Sequence, residues 1–152
     1  MAKNAKESSM QIIFVPATLR QGSNRSRSVT GVIYFDFGGK HFPGEHWSDF
    51  PVVITTWWLE ALEKLQRGFD SEVKLYFMDG PYWLTLTRQD NHDVYIRCIE
   101  DRKDAGVVHE ERVPFKEFST HVLRLARQVA SACQRYRFES SDVDELRKYL
   151  PN

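Results

Sequence analysis

The sequence has few of the features that assign a chain to a specialised class of protein. Its 152 residues include only two cysteines, and 21 basic side chains balance 21 acidic ones. Two cysteines cannot build a disulfide scaffold or a cysteine-rich metal centre. Zero net charge provides no long-range attraction for nucleic acid or an anionic membrane, unless a local patch supplies it. The longest apolar runs fall far short of the roughly 20 residues of a membrane-spanning helix. We therefore expect a soluble, cytoplasmic protein.

The beginning of the chain differs in composition from the rest. Residues 1–10 are polar, show no periodicity and contain no apolar signal-peptide core, so they are predicted to form a disordered leader. Residues 11–152 can bury a core without a metal or disulfide, and they are predicted to form a single domain. Cys98 and Cys133 lie in apolar patterns and are expected inside it, but the sequence leaves open whether they are bonded to each other.

Strands and helices are predicted in blocks. Hydrophobic periodicity and turn signals predict strands at 11–15, 29–37 and 40–42, a helix from Ser48 or Asp49 to about 67, strands at 73–78, 82–87, 94–99 and 107–113, a helix at 115–136, and a short helix after Ser140. This order, βββα-ββββα-α, predicts an α+β fold in which two main helices pack on one face of an antiparallel sheet. The two halves resemble a degenerate repeat in architecture, but they share no motif.

Common catalytic motifs are missing from the sequence. No phosphate-binding glycine loop, nucleophile elbow or metal-binding spacing of cysteines occurs, so no cofactor or metal is expected. One segment does combine His41, Glu45, His46 and Asp49 within nine positions, as a metal site or an acid–base pair would require. The simpler interpretation makes Ser48 or Asp49 a helix cap and leaves the histidines at the surface.

Three further groups of residues suggest binding. Four tryptophans fall near the first helix and the strand after it, where most are expected in the core and one is expected to be partly exposed: Trp47, Trp57, Trp58 and Trp83. The turn-rich segment 20–28 carries Arg25 and Arg27, and no acidic residue occurs between Glu7 and Asp36. Carboxylates gather at the ends of the predicted meander: Asp79, Asp90, Asp93, Glu100, Asp101, Asp104, Glu110 and Glu111. Aspartates are also favoured in turns for local hydrogen bonding, so these need not form a binding face.

Two segments carry a resemblance to a known group of proteins. The sequence WSDF at 47–50 opens a tryptophan-rich helix, and YFMDGPY follows at 76–82. In this middle half the chain resembles small bacterial immunity proteins of contact-dependent inhibition and other polymorphic toxin systems. The resemblance implies a single-domain cytosolic protein that binds one cognate toxin and catalyses nothing. No functional residue carries over from it, and the balanced charge departs from the acidic character common in immunity proteins that block nucleases.

The leading hypothesis is a non-catalytic binding protein that neutralises a cognate toxin domain. Six residues are predicted to contact the partner: Arg25, Arg27, Trp47, Asp79, Tyr82 and Asp104. Nucleic acid and membrane are not expected as partners. Two alternatives stay open: a single-stranded nucleic-acid-binding domain, because the element order is similar to that of Whirly-type domains, and a small enzyme that uses His41, Glu45, His46 and Asp49.

Overall fold

The fold consists of two successive units, each made of four strands followed by a helix. A computed structural model describes residues 9–103 and 106–151. In chain order the elements are β1 (Met10–Gln21), β2 (Val29–Phe37), β3 (Lys40–Phe42), β4 (Ser48–Asp49), α1 (Pro51–Gln66), β5 (Glu72–Tyr76), β6 (Tyr82–Arg88), β7 (Asp93–Glu100), β8 (Val107–Pro114), α2 (Phe115–Arg135) and α3 (Ser141–Arg147). The predicted α+β class and element order are confirmed.

The strands form two antiparallel sheets rather than the one that was predicted. The first sheet has the order β1-β2-β3, with the short β4 also paired to β2, and the second has the order β5-β6-β7-β8. Turn signals specify which neighbouring strands form hairpins. They carry no information on whether strands separated by a helix join the same sheet.

The first strand is longer than its sequence suggests. It was predicted to end at Pro16 but continues to Gln21, with a register shift between Val15 and Arg20, so only 22–28 of the predicted 20–28 loop connects β1 to β2. The hydroxyl of Thr18 accepts a hydrogen bond from the Val32 amide at 2.8 Å and donates to the Val15 carbonyl at 2.6 Å. This side chain replaces ladder bonds at the bulge, where proline is tolerated.

The prediction of a disordered leader over residues 1–10 is wrong at position 10. Met10 belongs to β1 and its side chain is buried, while residues 1–8 lie outside the described part of the chain. One apolar methionine after a polar run does not indicate from the sequence alone that it pairs with a neighbouring strand.

The start of α1 differs from the prediction. Phe50 is the N-cap and offers no side-chain hydrogen bond, with Pro51 following it in the first turn. Ser48 and Asp49, the predicted caps, instead pair with β2 as β4. The start of α3 is as predicted, because Ser140 accepts a hydrogen bond from the Val143 amide at 3.2 Å.

Aromatic side chains join the two units into one core. The buried ring of Phe35 on β2 lies 5.3 Å from Trp58, 6.1 Å from Phe77 and 6.2 Å from Phe118. Those three residues belong to α1, the turn after β5, and α2. Trp58 is fully buried, whereas the neighbouring Trp57 is 41% exposed, as the 100° step between adjacent helical residues predicts.

Both cysteines are free and buried. Burial raises the pKa of the Cys98 thiol and, to about 11, that of Cys133. The predicted interpretation of both as small core residues is confirmed, since neither thiol ionises readily near neutral pH.

Candidate partner-binding surface

The structure brings together three of the six predicted contact residues. Trp47 precedes β4, Tyr82 begins β6, and Asp79 lies in the turn between β5 and β6. The rings of Trp47 and Tyr82 are 5.1 Å apart in an edge-on contact. Asp104 lies outside the described residues, so the structure says nothing of its position.

Asp49 holds this group of residues together. Its buried carboxylate accepts hydrogen bonds from the Trp47 indole at 2.9 Å and from its neighbour's amide, Phe50, at 2.8 Å. It also accepts from the amides of Met78 and Asp79, each at 3.1 Å. Four donors around one carboxylate compensate for its removal from water. Asp49 therefore joins the first unit to the β5–β6 turn of the second.

Tyr82 is not the surface residue that the sequence predicted. Only 7% of it is exposed, because Trp47 covers its ring on one side. Arg102 donates to its hydroxyl at 2.7 Å and places its guanidinium 5.4 Å from the ring centre. Tyr82 supports its exposed neighbours and does not offer a surface to a partner.

The two predicted arginine contacts lie elsewhere. Arg25 and Arg27 are exposed on the β1–β2 loop. The side-chain amide of Gln21 donates to the Arg27 carbonyl at 3.0 Å and to the Glu139 carbonyl at 2.9 Å. These bonds attach the loop to the segment between α2 and α3 instead of to the Trp47 group.

The histidine segment assembles in part, at the surface. Glu45 lies 3.3 Å from His41 and 3.1 Å from His46, and Asp36 lies 3.9 Å from His41. Asp49, the fourth residue of the predicted set, is instead held inside by its backbone donors. His46 and Glu45 are largely solvent-exposed, so water reaches them freely. Within residues 9–103 and 106–151, no cluster of three His, Cys, Asp or Glu side chains is arranged to hold a metal ion.

The outer face of the second sheet carries an exposed apolar row. Strand register aligns Tyr76 with Trp83, Trp83 with Ile99, and Ile99 with Val107. Tyr76 is 45% and Val107 is 48% exposed, while Trp83 and Ile99 between them are half-buried. Aligned residues on neighbouring strands share one face of a sheet, so these four residues, called here the apolar row, cross all four strands.

Other exposed apolar side chains extend this row beyond the sheet edge. The ring of Tyr76 lies 5.7 Å from that of Trp83, and Met78 is exposed two residues further on. A shallow groove of about 340 Å³ between α1 and β5 is lined by Trp57, Lys74 and Tyr76, among others. The indole of Trp58 donates to the Tyr76 carbonyl at 2.8 Å and so fixes this edge strand to α1.

Charged residues further along the strands, on the same face as the apolar row, are paired with each other. Arg97 lies 3.2 Å from Glu72, and Arg112 lies 2.7 Å from Asp93 and 2.5 Å from Asp90. The hydrogen bond to Asp93 raises the pKa of Arg112. The amides of His92 and Asp93 lower the pKa of Asp90, which supports the interpretation of this aspartate as a turn residue.

Two further polar groups on this face also have partners. The hydroxyl of Tyr95 donates to Glu110, and this bond raises the pKa of Tyr95. The ammonium of Lys74 lies 5.1 Å from the Trp83 ring, within the range of a cation–π contact. This face therefore combines the apolar row with charged groups that already have partners.

Sequence reasoning did not single out Tyr76, Ile99 or Val107 as site residues. Alternation along 94–99 does place Tyr95, Arg97 and Ile99 on the wetter face of that strand. The alignment of Ile99 with Trp83 and Val107 depends on register, which includes a shift between Cys98 and Ile99. That irregularity has no signature in the sequence.

Comparison with protein-family models, curated protein sequences and solved structures gives no significant match to this chain. In the part of the chain that the structure describes, no helix is long and apolar enough to cross a membrane. The function is therefore argued from the surfaces described above.

Proposed function

We propose that this protein is a non-catalytic, cytoplasmic binding protein that neutralises a toxin domain by docking through the apolar row of its second sheet. The observation that carries the proposal is the row itself, which exposes aromatic and aliphatic side chains across four strands. Contiguous exposed apolar patches mark interaction sites in soluble proteins. Covering such a patch contributes about 25 cal/mol for each Å² of apolar surface removed from water.

The charges on the same face as the row favour a protein partner over nucleic acid at this surface. Arg97 and Arg112 already contact carboxylates, and Lys74 lies against Trp83. A phosphate backbone would have to displace those contacts to gain its own. A protein with an apolar centre and a polar rim can leave them in place, as in a typical interface.

Hydrogen bonds to the backbone hold the Tyr76 end of the row in place, which favours tight binding. Asp49 fixes the turn after β5, and Trp58 fixes the last carbonyl of that strand. A chain segment whose backbone is held in place before binding loses less conformational entropy when the partner arrives. Together with the resemblance of 47–50 and 76–82 to immunity proteins, this preorganisation supports a stoichiometric inhibitor.

A growth-rescue experiment tests the proposal. The protein is co-expressed in a sensitive bacterium with each candidate toxin domain found in the reading frames next to its gene. Two matched variants replace an equally exposed tyrosine with aspartate: Tyr76→Asp lies in the row, and Tyr136→Asp lies at the end of α2, with exposures of 45% and 40%.

Wild type and Tyr136→Asp are expected to restore growth, while Tyr76→Asp is expected to fail because it places a charge in the apolar row, where docking would remove it from water. Circular dichroism and thermal melting establish that both variants are folded. Equal rescue by the two variants contradicts docking through the row. Failure of the wild type to rescue growth contradicts the neutralising function itself.

A further inference from the structure

A second surface, separate from the apolar row, carries arginines on α2. Arg124, Arg127 and Arg135 are exposed and line a groove of about 420 Å³ between α2 and β1, together with Gln128 and Ser131. A second groove of about 220 Å³ continues from it and shares Arg124 and Gln128. Neither groove has an acidic residue in its lining.

These arginines have no acidic partner among the described residues. The ion pairs of the described chain involve other arginines, such as Arg97 and Arg112 of the second sheet. The sequence contains no Asp or Glu between Glu117 and Glu139. An exposed guanidinium has five donors and stays charged at every physiological pH. The groove therefore concentrates unneutralised positive charge on a protein whose net charge is zero.

The charge is arranged in a line, which suits a polymer better than a single ion. Arg124 and Arg135 are eleven residues apart, which corresponds to roughly 16 Å along the helix. The Gln21 side chain bonds to the Glu139 carbonyl just beyond α2, which attaches the loop bearing Arg25 and Arg27 to the segment that follows this helix. Such a line matches the repeated phosphates of about three to five nucleotides of a single strand.

The strand side of the groove disfavours an added peptide strand. Pro16 lines the groove and provides no amide for a new ladder bond, and the register of β1 shifts just after it. Phe14, also in the lining, offers a ring against which a base can stack. Recognition here would depend on side-chain charge and stacking.

We propose that the groove between α2 and β1 binds the phosphate backbone of single-stranded nucleic acid. This binding activity is additional to docking of the protein partner and uses different residues. An experiment can therefore contradict one of the two proposals and leave the other in place. Arginine pairs with phosphate in a two-pronged geometry, and Gln128 and Ser131 add neutral donors. A strand bound there would contact α2 and leave the apolar row of the second sheet free.

Fluorescence anisotropy with a labelled 15-nucleotide oligo(dT) tests this at 50 mM salt. The variant R124Q/R127Q/R135Q removes three charges from the groove. The matched control R67Q/R147Q/K148Q removes three charges that lie within 4.0 Å of carboxylates elsewhere. All the substituted residues are exposed, and melting curves verify that both variants are folded.

We expect the groove variant to bind at least tenfold more weakly than wild type and the control to bind within twofold of it. Three phosphate contacts predict a loss of wild-type affinity of about tenfold to twentyfold between 50 and 200 mM salt. Nuclear magnetic resonance of the wild type supplies a readout without variants, with shifts expected in 124–135. No binding at 50 mM salt, equal loss in both variants, or shifts confined to the second sheet would overturn the proposal. So would equal or tighter binding of a labelled poly-glutamate of the same length.

Discussion

The two units follow the same order of elements but expose different surfaces. In the first, β4 has two residues and the outer ring of Tyr34 is covered by His41 and His46, at 5.5 and 6.3 Å. In the second, each of the four strands is longer than β4, and Tyr76 and Val107 are exposed on the outer face. The first unit closes its outer face with its own loop, and the second leaves that face available.

The comparison indicates that two units with the same order of elements can take different roles. Residues at the end of the first unit, above all Asp49 and Trp58, contact the second unit through backbone groups near the β5–β6 turn. We interpret the first unit as the support and the second as the docking surface. Three substitutions test this division of roles, in order of expected effect on the free energy of unfolding.

The largest effect is expected at Asp49. Asp49→Ala leaves four donors without their acceptor inside the protein, two of them in the β5–β6 turn. We expect the free energy of unfolding to fall by about 3 kcal/mol or more, measured by urea denaturation. Asp79→Ala, an exposed carboxylate beside it, is the control and should change stability by less than about 0.5 kcal/mol. Similar losses in both variants would remove Asp49 as the link between the units.

An intermediate effect is expected at Gly80 in the same turn. Its φ of +73° suits glycine, and an added Cβ would lie 2.7 Å from the Tyr82 ring and 3.2 Å from Trp47. Gly80→Ala should therefore cost about 2–3 kcal/mol, from backbone strain together with overpacking.

Gly68→Ala separates those two contributions. Gly68 has a similar φ of +77° but no neighbouring atom within 4 Å of an added Cβ, so only the backbone contribution of about 1 kcal/mol applies. Equal destabilisation of the two variants in thermal melts would show that Trp47 and Tyr82 do not confine the turn.

The smallest effect is expected at the adjacent tryptophans of α1. Trp58→Phe removes the indole bond to the Tyr76 carbonyl and shrinks a buried side chain, which should cost about 1–2 kcal/mol. Trp57→Phe alters a side chain that is 41% exposed and should cost less than about 0.5 kcal/mol. Chemical denaturation of both variants measures the difference, and a reversed order would contradict the anchoring of β5 by α1.

Much of the fold was predictable because its signals are local. The 3.6-residue period of α2 and the cap at Ser140 each act within a few residues of the chain. The predictions that were wrong depended on distant partners. Asp49 is of a residue type that favours helix caps. It instead accepts hydrogen bonds from the amides of Met78 and Asp79, which lie 29 and 30 residues away in the sequence.

The candidate surfaces were less predictable for the same reason. Trp47 and Asp79 were chosen for residue type, and the structure does place them together. The apolar row depends on the register of three strand pairs, and the arginine groove depends on α2 lying against β1. Arg124, Arg127 and Arg135 look like an ordinary polar helix face in the sequence. The sequence signal for this groove is the absence of acidic residues from 118 to 138.

Hydroxyl-radical footprinting of the protein, free and bound to the proposed toxin domain, tests the central claim most directly. The account predicts that oxidation of Tyr76, Met78 and Trp83 falls severalfold in the complex, while oxidation of Tyr136 stays unchanged. Protection confined to Tyr136 and the histidines of the first unit, with Tyr76 oxidised as in the free protein, would contradict docking through the second sheet.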